Sequence, residues 1–158
     1  MSREVGQAVE VQFQLEQLEP GWPPTSVEAI WCVPADGVDD GYRVTNVPIH
    51  VLDIARDDVI SVKPSEAGPL EFVSVLRRSG HSTLRVIVAD LMDTDAVAEA
   101  LGDLGAVVQN TYISQLLAVD LPSTIDFTAI RVWLIDAEGA DRLDWEEGYL
   151  ADGHRVLH

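Results

Sequence analysis

STLRVIVADLMDTDAVAEALGDLGAVVQN, residues 82–110, is where the chain changes rhythm. Its first nine residues form a nearly continuous apolar run, which predicts a strand. Val97, Ala100, Leu101 and Leu104 then recur three and four apart, which predicts one apolar face of a helix. Asp93 or Thr94 is placed to cap that helix, Asp95 and Glu99 suit the positive end of its dipole, and Gly105 stands where a C-terminal glycine belongs. AVVQNTYI returns to a strand, and LLAVDLP, joined through Ser114-Gln115, reads as the next one. Ser123 with Asp126 resembles a capping box, and Ile130, Trp133, Leu134 and Ala137 supply the core face of a second helix that Gly139 ends or weakens. LDWEEGYLA gives a last strand. The order β-α-β-β-α-β predicts a ferredoxin-like half, residues 81–158, with two helices on one face of an antiparallel sheet.

Upstream the pattern is different. Val9, Val11, Phe13 and Leu15 alternate with Glu10, Gln12, Gln14 and Glu16, the period of a strand with one buried face. Pro20-Gly21-Trp22-Pro23-Pro24 stops it, because prolines remove ladder donors. Further strands are expected in SVEAIWCVPA, around Tyr42 and Val44, in DVISVKP, and in LEFVSVLRRSG. Ile49 to Ile54 lacks the cap and the length for a helix. Short strands with turns every 8–12 residues predict a small β-barrel-like half over residues 1–80. The chain as a whole is therefore expected to be α+β, with the two halves meeting at the hairpin around Gly80.

Charge is the strongest compositional signal. The 158 residues hold 27 acids and 10 bases, a net charge of -17. Residues 1–80 contribute 13 acids and 6 bases, and residues 81–158 contribute 14 and 4, so both halves are acidic. Such a surface repels nucleic acid and anionic membranes and steers toward a basic partner. Hydrophobic residues make up 47%, enough for a core, so disorder is not expected. No signal peptide or membrane span is visible, which makes the cytoplasm the expected compartment. The lone cysteine, Cys32, stands among Ile30, Trp31 and Val33 and is expected to be a buried thiol, with no disulfide and no zinc spacing. Trp31, Trp133 and Trp145 are expected in packing roles, and His154 and His158 in a frayed terminus.

One stretch breaks the acidic pattern. RRSGHSTLRV, residues 77–86, gathers Arg77, Arg78 and Arg85 around a Ser-Gly-His-Ser turn. Backbone amides near Ser79, Gly80 and His81, with the hydroxyls of Ser82 and Thr83, can present donors to an anion, and Arg77 and Arg85 can clamp a carboxylate or phosphate. The competing expectation is a hairpin whose arginines pair with nearby acids. His81 beside Ser79 and Ser82 does not form a catalytic group on spacing alone, and no G-x-S-x-G elbow is present. No catalytic residue, metal set or cofactor is expected.

The stretches GYRVTNVPIHVLDIARDDVISV (41–62) and RRSGHSTLRV resemble a bacterial family of domains of unknown function, the one numbered 4265. The resemblance implies a small soluble bacterial protein of this architecture and carries no activity or functional residue. Asp57-Asp58 departs from the pattern, where a glycine is expected in the turn. Three functional expectations follow. The first is a non-enzymatic module engaging a basic protein partner, of which an immunity or antitoxin-like protein is one form. The second is an anionic small-molecule or nucleotide site, with or without catalysis, using the Arg/His/Ser turn. The third is a homo-oligomer built through the sheet of the second half, although the sequence leaves the oligomeric state open.

Overall fold

The computed structural model describes residues 7–66 and 68–155, a mixed α+β chain that divides into two compact units, one ending at Ser79 and one starting at Gly80.

The first unit is built from β1 (Val9–Gln14), β2 (Val27–Pro34), β3 (Gly41–Val44), β4 (Val59–Pro64) and β5 (Leu70–Arg77). Neighbours in sequence pair antiparallel, and β1 returns to β5 in parallel through Val11 opposite Leu70, which closes a ring of five strands. Alternation decides what goes inside. Val11 and Phe13 from β1 join Ile30 and Cys32 from β2, Val44 and Ile60 in one buried cluster, and Phe13 stacks on Phe72 with ring centroids 4.7 Å apart. Each fully buried side chain of this size contributes about 1.5–3 kcal/mol. The same period of two sends Trp31 to the outer side of β2, where it is 42% exposed and outside the buried cluster, so of the packing roles expected of it the core one is not taken.

Cys32 is fully buried, and burial pushes its thiol up from about 9 to about 12. The folded state therefore holds the proton more tightly than the unfolded chain does. The associated stability is complete below about pH 9 and is lost as pH rises toward 12, at about 1.36 kcal/mol per pH unit. Near pH 10.5 the wild type is expected to lose about 2 kcal/mol through this group. Urea unfolding at several pH values checks this. A Cys32→Ala variant with the same alkaline slope as wild type would rule it out.

The second unit runs β6 (Ser82–Val88), α1 (Thr94–Asp103), β7 (Val107–Asn110), β8 (Leu116–Leu121), α2 (Phe127–Gly139) and β9 (Leu143–Tyr149). The sheet order is β7-β8-β6-β9, with every pair antiparallel. Leu84, Val86 and Val88 share a core with Leu117, Val119 and Leu121 from β8, Val97 and Leu101 from α1, and Phe127, Ile130 and Leu134 from α2. Both helices thus pack on the same face of the sheet.

The helix starts differ from the expected caps. A 3-10 turn, Leu91–Asp93, precedes α1, and it is Asp90 that accepts a bond from the Met92 amide. Asp93 occupies the N-cap position of α1 but makes no side-chain cap bond. Its carboxylate instead holds Arg142 at 3.1 and 3.2 Å. At α2 the cap is Asp126, which accepts from the Thr128 amide at 2.9 Å, so Ser123 and Asp126 are not a capping box. That bond lowers the Asp126 carboxyl below its ordinary value. Ile125 N–H donates to the Pro122 carbonyl, so the intervening residues are spent in a turn before the helix begins. Gly105 ends α1 with φ +102, as expected of a C-terminal glycine. No helix among the described residues is long and apolar enough to cross a membrane.

Candidate functional site

The residues of RRSGHSTLRV are divided between the two units. Arg77, Arg78 and Ser79 belong to the first unit, and His81, Ser82 and Arg85 to the second. Arg77 ends β5 and is exposed. Arg78 Nη1 donates to Asp58 Oδ2 at 3.0 Å and to the Asp53 carbonyl at 2.6 Å. Ser79 N–H donates to Asp58 Oδ1 at 2.8 Å, and its hydroxyl donates to the Arg56 carbonyl at 2.7 Å. Asp58 is fully buried and also accepts from the Ala55 amide at 3.0 Å. The one convergence in the first unit is therefore on an internal carboxylate.

β6 separates Ser82 from Arg85 by geometry. Successive side chains on a strand point to opposite faces. Ser82 alternates onto the side of Leu84 and Val86, whereas Arg85 lies on the other side with Thr83. Arg85 Nε donates to Glu146 Oε1 at 2.7 Å, directly across the β6–β9 pair. His81 Nδ1 lies 2.8 and 3.1 Å from the two oxygens of Asp120, a fully buried carboxylate on β8. One strand face cannot present Ser82 and Arg85 together.

Ser82 has a more suggestive neighbour. Its Oγ is 2.6 Å from His154 Nδ1, the separation of a nucleophile and its base. Nε2 of that ring lies 3.0 Å from the Pro122 carbonyl, an acceptor only, so Nε2 carries the hydrogen. In the neutral ring Nδ1 then accepts the Ser82 hydroxyl proton, while Ser82 Oγ accepts from Ala151 N–H at 2.8 Å. Ser82 is 0% exposed and His154 3%. The dyad is a clasp that pins residues 151–154 to β6 and β8, and His154 is not frayed as its position near the terminus suggests. His158 lies outside the described residues. A fluorophosphonate probe is expected to leave Ser82 unlabelled in the folded protein. Labelling abolished by Ser82→Ala would show that the hydroxyl is reachable.

Two further carboxylates escaped the sequence reading. Glu28 on β2 accepts three backbone N–H groups, from Ile49 at 2.7 Å, His50 at 2.8 Å and Val51 at 2.9 Å. Asp120 sits inside the apolar run of β8. Both were detectable. Glu28 shares the strand parity of Ile30 and Cys32, and a lone acid within LLAVDL has to find an internal donor.

A groove of about 350 Å³ in the second unit is lined by Ala89, Asp90, Met92, Asp93, Asp141 and Arg142. Ala89 N–H donates to the Arg142 carbonyl at 2.8 Å, which ties the end of β6 to the start of β9. The Arg142 guanidinium lies 5.6 Å over Trp133 and pairs with Asp93, which raises its pKa. Met92 is 87% exposed and the adjoining Leu91 55%. Among the described residues, no group of three or more His, Cys, Asp or Glu side chains could hold a metal ion.

Asp57 has φ +69, the left-handed backbone that glycine adopts most easily, and its carboxylate pairs with Arg43 at 2.7 Å. The turn expected to need a glycine thus uses an aspartate that tolerates the same geometry. No curated protein matches the chain. A solved structure, a hypothetical protein from Neisseria gonorrhoeae, is similar over 94% of this chain and 99% of its own, with 16% identity and a TM-score of 0.73. At that identity the likeness is one of fold alone. A family model matches residues 28–145, three quarters of the length and both units, so the chain belongs to the family described as Domain of unknown function (DUF4265).

Proposed function

We propose that this protein is a non-enzymatic binding module that engages a basic protein partner, with an immunity or antitoxin-like neutraliser of a cationic toxin as one concrete form. The observation that carries the reading is the groove beside α1. Exposed Leu91 and Met92 lie next to the carboxylates of Asp90, Asp93 and Asp141, with Arg142 already held by Asp93. Asp95, Glu99 and Asp103 continue the acid along α1 four residues apart, all exposed, in a helix without Lys or Arg. Like charges at that spacing cost a helix about 0.2–0.5 kcal/mol per pair. A partner with basic residues around an apolar side chain turns that cost into attraction.

The architecture is read as a small barrel-like unit followed by a ferredoxin-like one, supported by the ring closure of β1 with β5 and by the β7-β8-β6-β9 order. A cytoplasmic setting fits the reduced, buried Cys32. The anionic-ligand alternative has less support, because Arg78, Ser79, His81 and Arg85 already bond to Asp58, Arg56, Asp120 and Glu146.

Affinity capture from the native host tests the reading, with wild type and Met92→Lys as baits. A partner held at about 50 mM salt, released at about 500 mM and lost by Met92→Lys is expected. The absence of any salt-sensitive partner that depends on Met92 would sink the proposal. A thermal-shift screen of anionic metabolites is expected to show no hit. Stabilisation that disappears in Arg85→Ala would favour the alternative.

A further inference from the structure

The two edges of the second unit's sheet are chemically unlike. β9 forms one edge and carries Asp144, Glu146 and Glu147. β7 forms the other, and among the described residues it pairs with β8 and no other strand. Residues 104–119, LGAVVQNTYISQLLAV, contain no Asp, Glu, Lys, Arg or His. Leu116–Val119 of β8 are buried and apolar, and the next residue of that strand, Asp120, is a buried carboxylate bonded to His81. For β7 the lack of charge does not follow from burial, because Val107 is 37% exposed and Asn110 is exposed as well.

Outer strands present unpaired backbone donors and acceptors, and proteins usually guard them with charge. The β9 edge is guarded in that way and the β7 edge is not. The occupant follows from charge. Each copy of the chain carries -17, so most approaches of two copies bring carboxylate against carboxylate. At β7 two identical strands meet without a charged side chain on either. Antiparallel pairing about a two-fold axis is also self-complementary, so one edge completes the other. We infer that β7 pairs antiparallel with β7 of a second copy, which joins two four-stranded sheets into one of eight strands.

This pairing has a salt dependence opposite to that of a basic partner. Screening reduces the repulsion between two acidic copies, so added salt strengthens the dimer.

Sedimentation velocity of the full chain, from about 1 µM to about 200 µM, at about 20 mM and about 500 mM NaCl, tests it. The expected result is a monomer–dimer equilibrium that shifts toward dimer at the higher salt. Val107→Glu sets two new carboxylates near the axis and is expected to weaken association at least about 10-fold. Asn110→Glu, also on an exposed residue of β7, is expected to act in the same way and decides the matter if circular dichroism shows that Val107→Glu does not fold. Val132→Glu, on the exposed side of α2, is expected to dimerise like wild type. Three results would overturn the inference: a monomer at every concentration and salt, a dimer weakened by salt, or a dimer indifferent to the folded β7 variants.

Discussion

Asp58→Ala is expected to lower the unfolding free energy by about 2–5 kcal/mol, mostly through backbone donors left without an acceptor, since its ion-pair partner Arg78 is itself 39% exposed. The carboxylate is fully buried and has three donors: the Ala55 amide, the Ser79 amide and the Arg78 guanidinium. Truncation leaves two backbone N–H groups unmet, and Ala55 is itself 0% exposed. Each such group costs about 1–3 kcal/mol. The Asp58→Asn change is not a rescue. The new amide nitrogen has to face either Ser79 N–H or the pair formed by Ala55 N–H and Arg78, and in both orientations a donor meets a donor. Urea unfolding of Asp58→Ala and Asp58→Asn measures this. A midpoint for Asp58→Ala equivalent to less than about 1 kcal/mol from wild type would show that the contacts contribute little.

Glu28→Ala is expected to cost about 3 kcal/mol, from three backbone donors left without an acceptor. The effect is local before it is global. The amides of His50 and Val51 both bond to Oε1, and they are expected to lose hydrogen-exchange protection first. Glu28→Gln separates charge from geometry. Its carbonyl oxygen can take the place of Oε1 and keep two bonds, while its NH₂ faces Ile49 N–H, which is only partly buried. The glutamine variant is therefore expected to lose about half as much as the alanine variant. Equal losses would mean that the charge, rather than the acceptor positions, holds the loop.

These two carboxylates mark where the sequence stops being readable. Alternation located β1 and β2, and the apolar spacing of Val97, Leu101, Ile130 and Leu134 located both helices with their inner faces. Those patterns are local, and burial of apolar area enforces them. A count of charges, by contrast, treats every acid as surface. Glu28 and Asp58 are internal acceptors for the 14-residue connection between β3 and β4, where the Ile49, His50, Val51 and Ala55 amides bond to these carboxylates instead of to a strand. Apart from Ala55, close to Asp58 in sequence, their partners lie about 20 residues away, beyond any local pattern. The caps failed for a related reason. Asp90, Asp93 and Asp95 all stand near the start of α1, and a tertiary bond, Asp93 to Arg142, takes one of them away from capping.

For the candidate site, the deciding point is one that the sequence does contain. Grouping Arg77 to Arg85 by proximity ignores the fact that a strand deals its residues alternately to two faces. Ser82 and Arg85 differ by an odd number, so they were never candidates for one pocket. His154, 72 residues from Ser82, could be found only by folding the chain.

The alternation of β6 also bears on how the gene can change. Gain or loss of one codon within Ser82–Val88 would turn every later side chain of the strand over, carrying Arg85 toward the helices and Leu84 away from them. Substitutions there can be absorbed one at a time, but a one-residue slip along the strand cannot. Length variation among descendants of this gene is therefore expected to favour turns, such as residues 36–40 between β2 and β3, over the span from Ser82 to Val88.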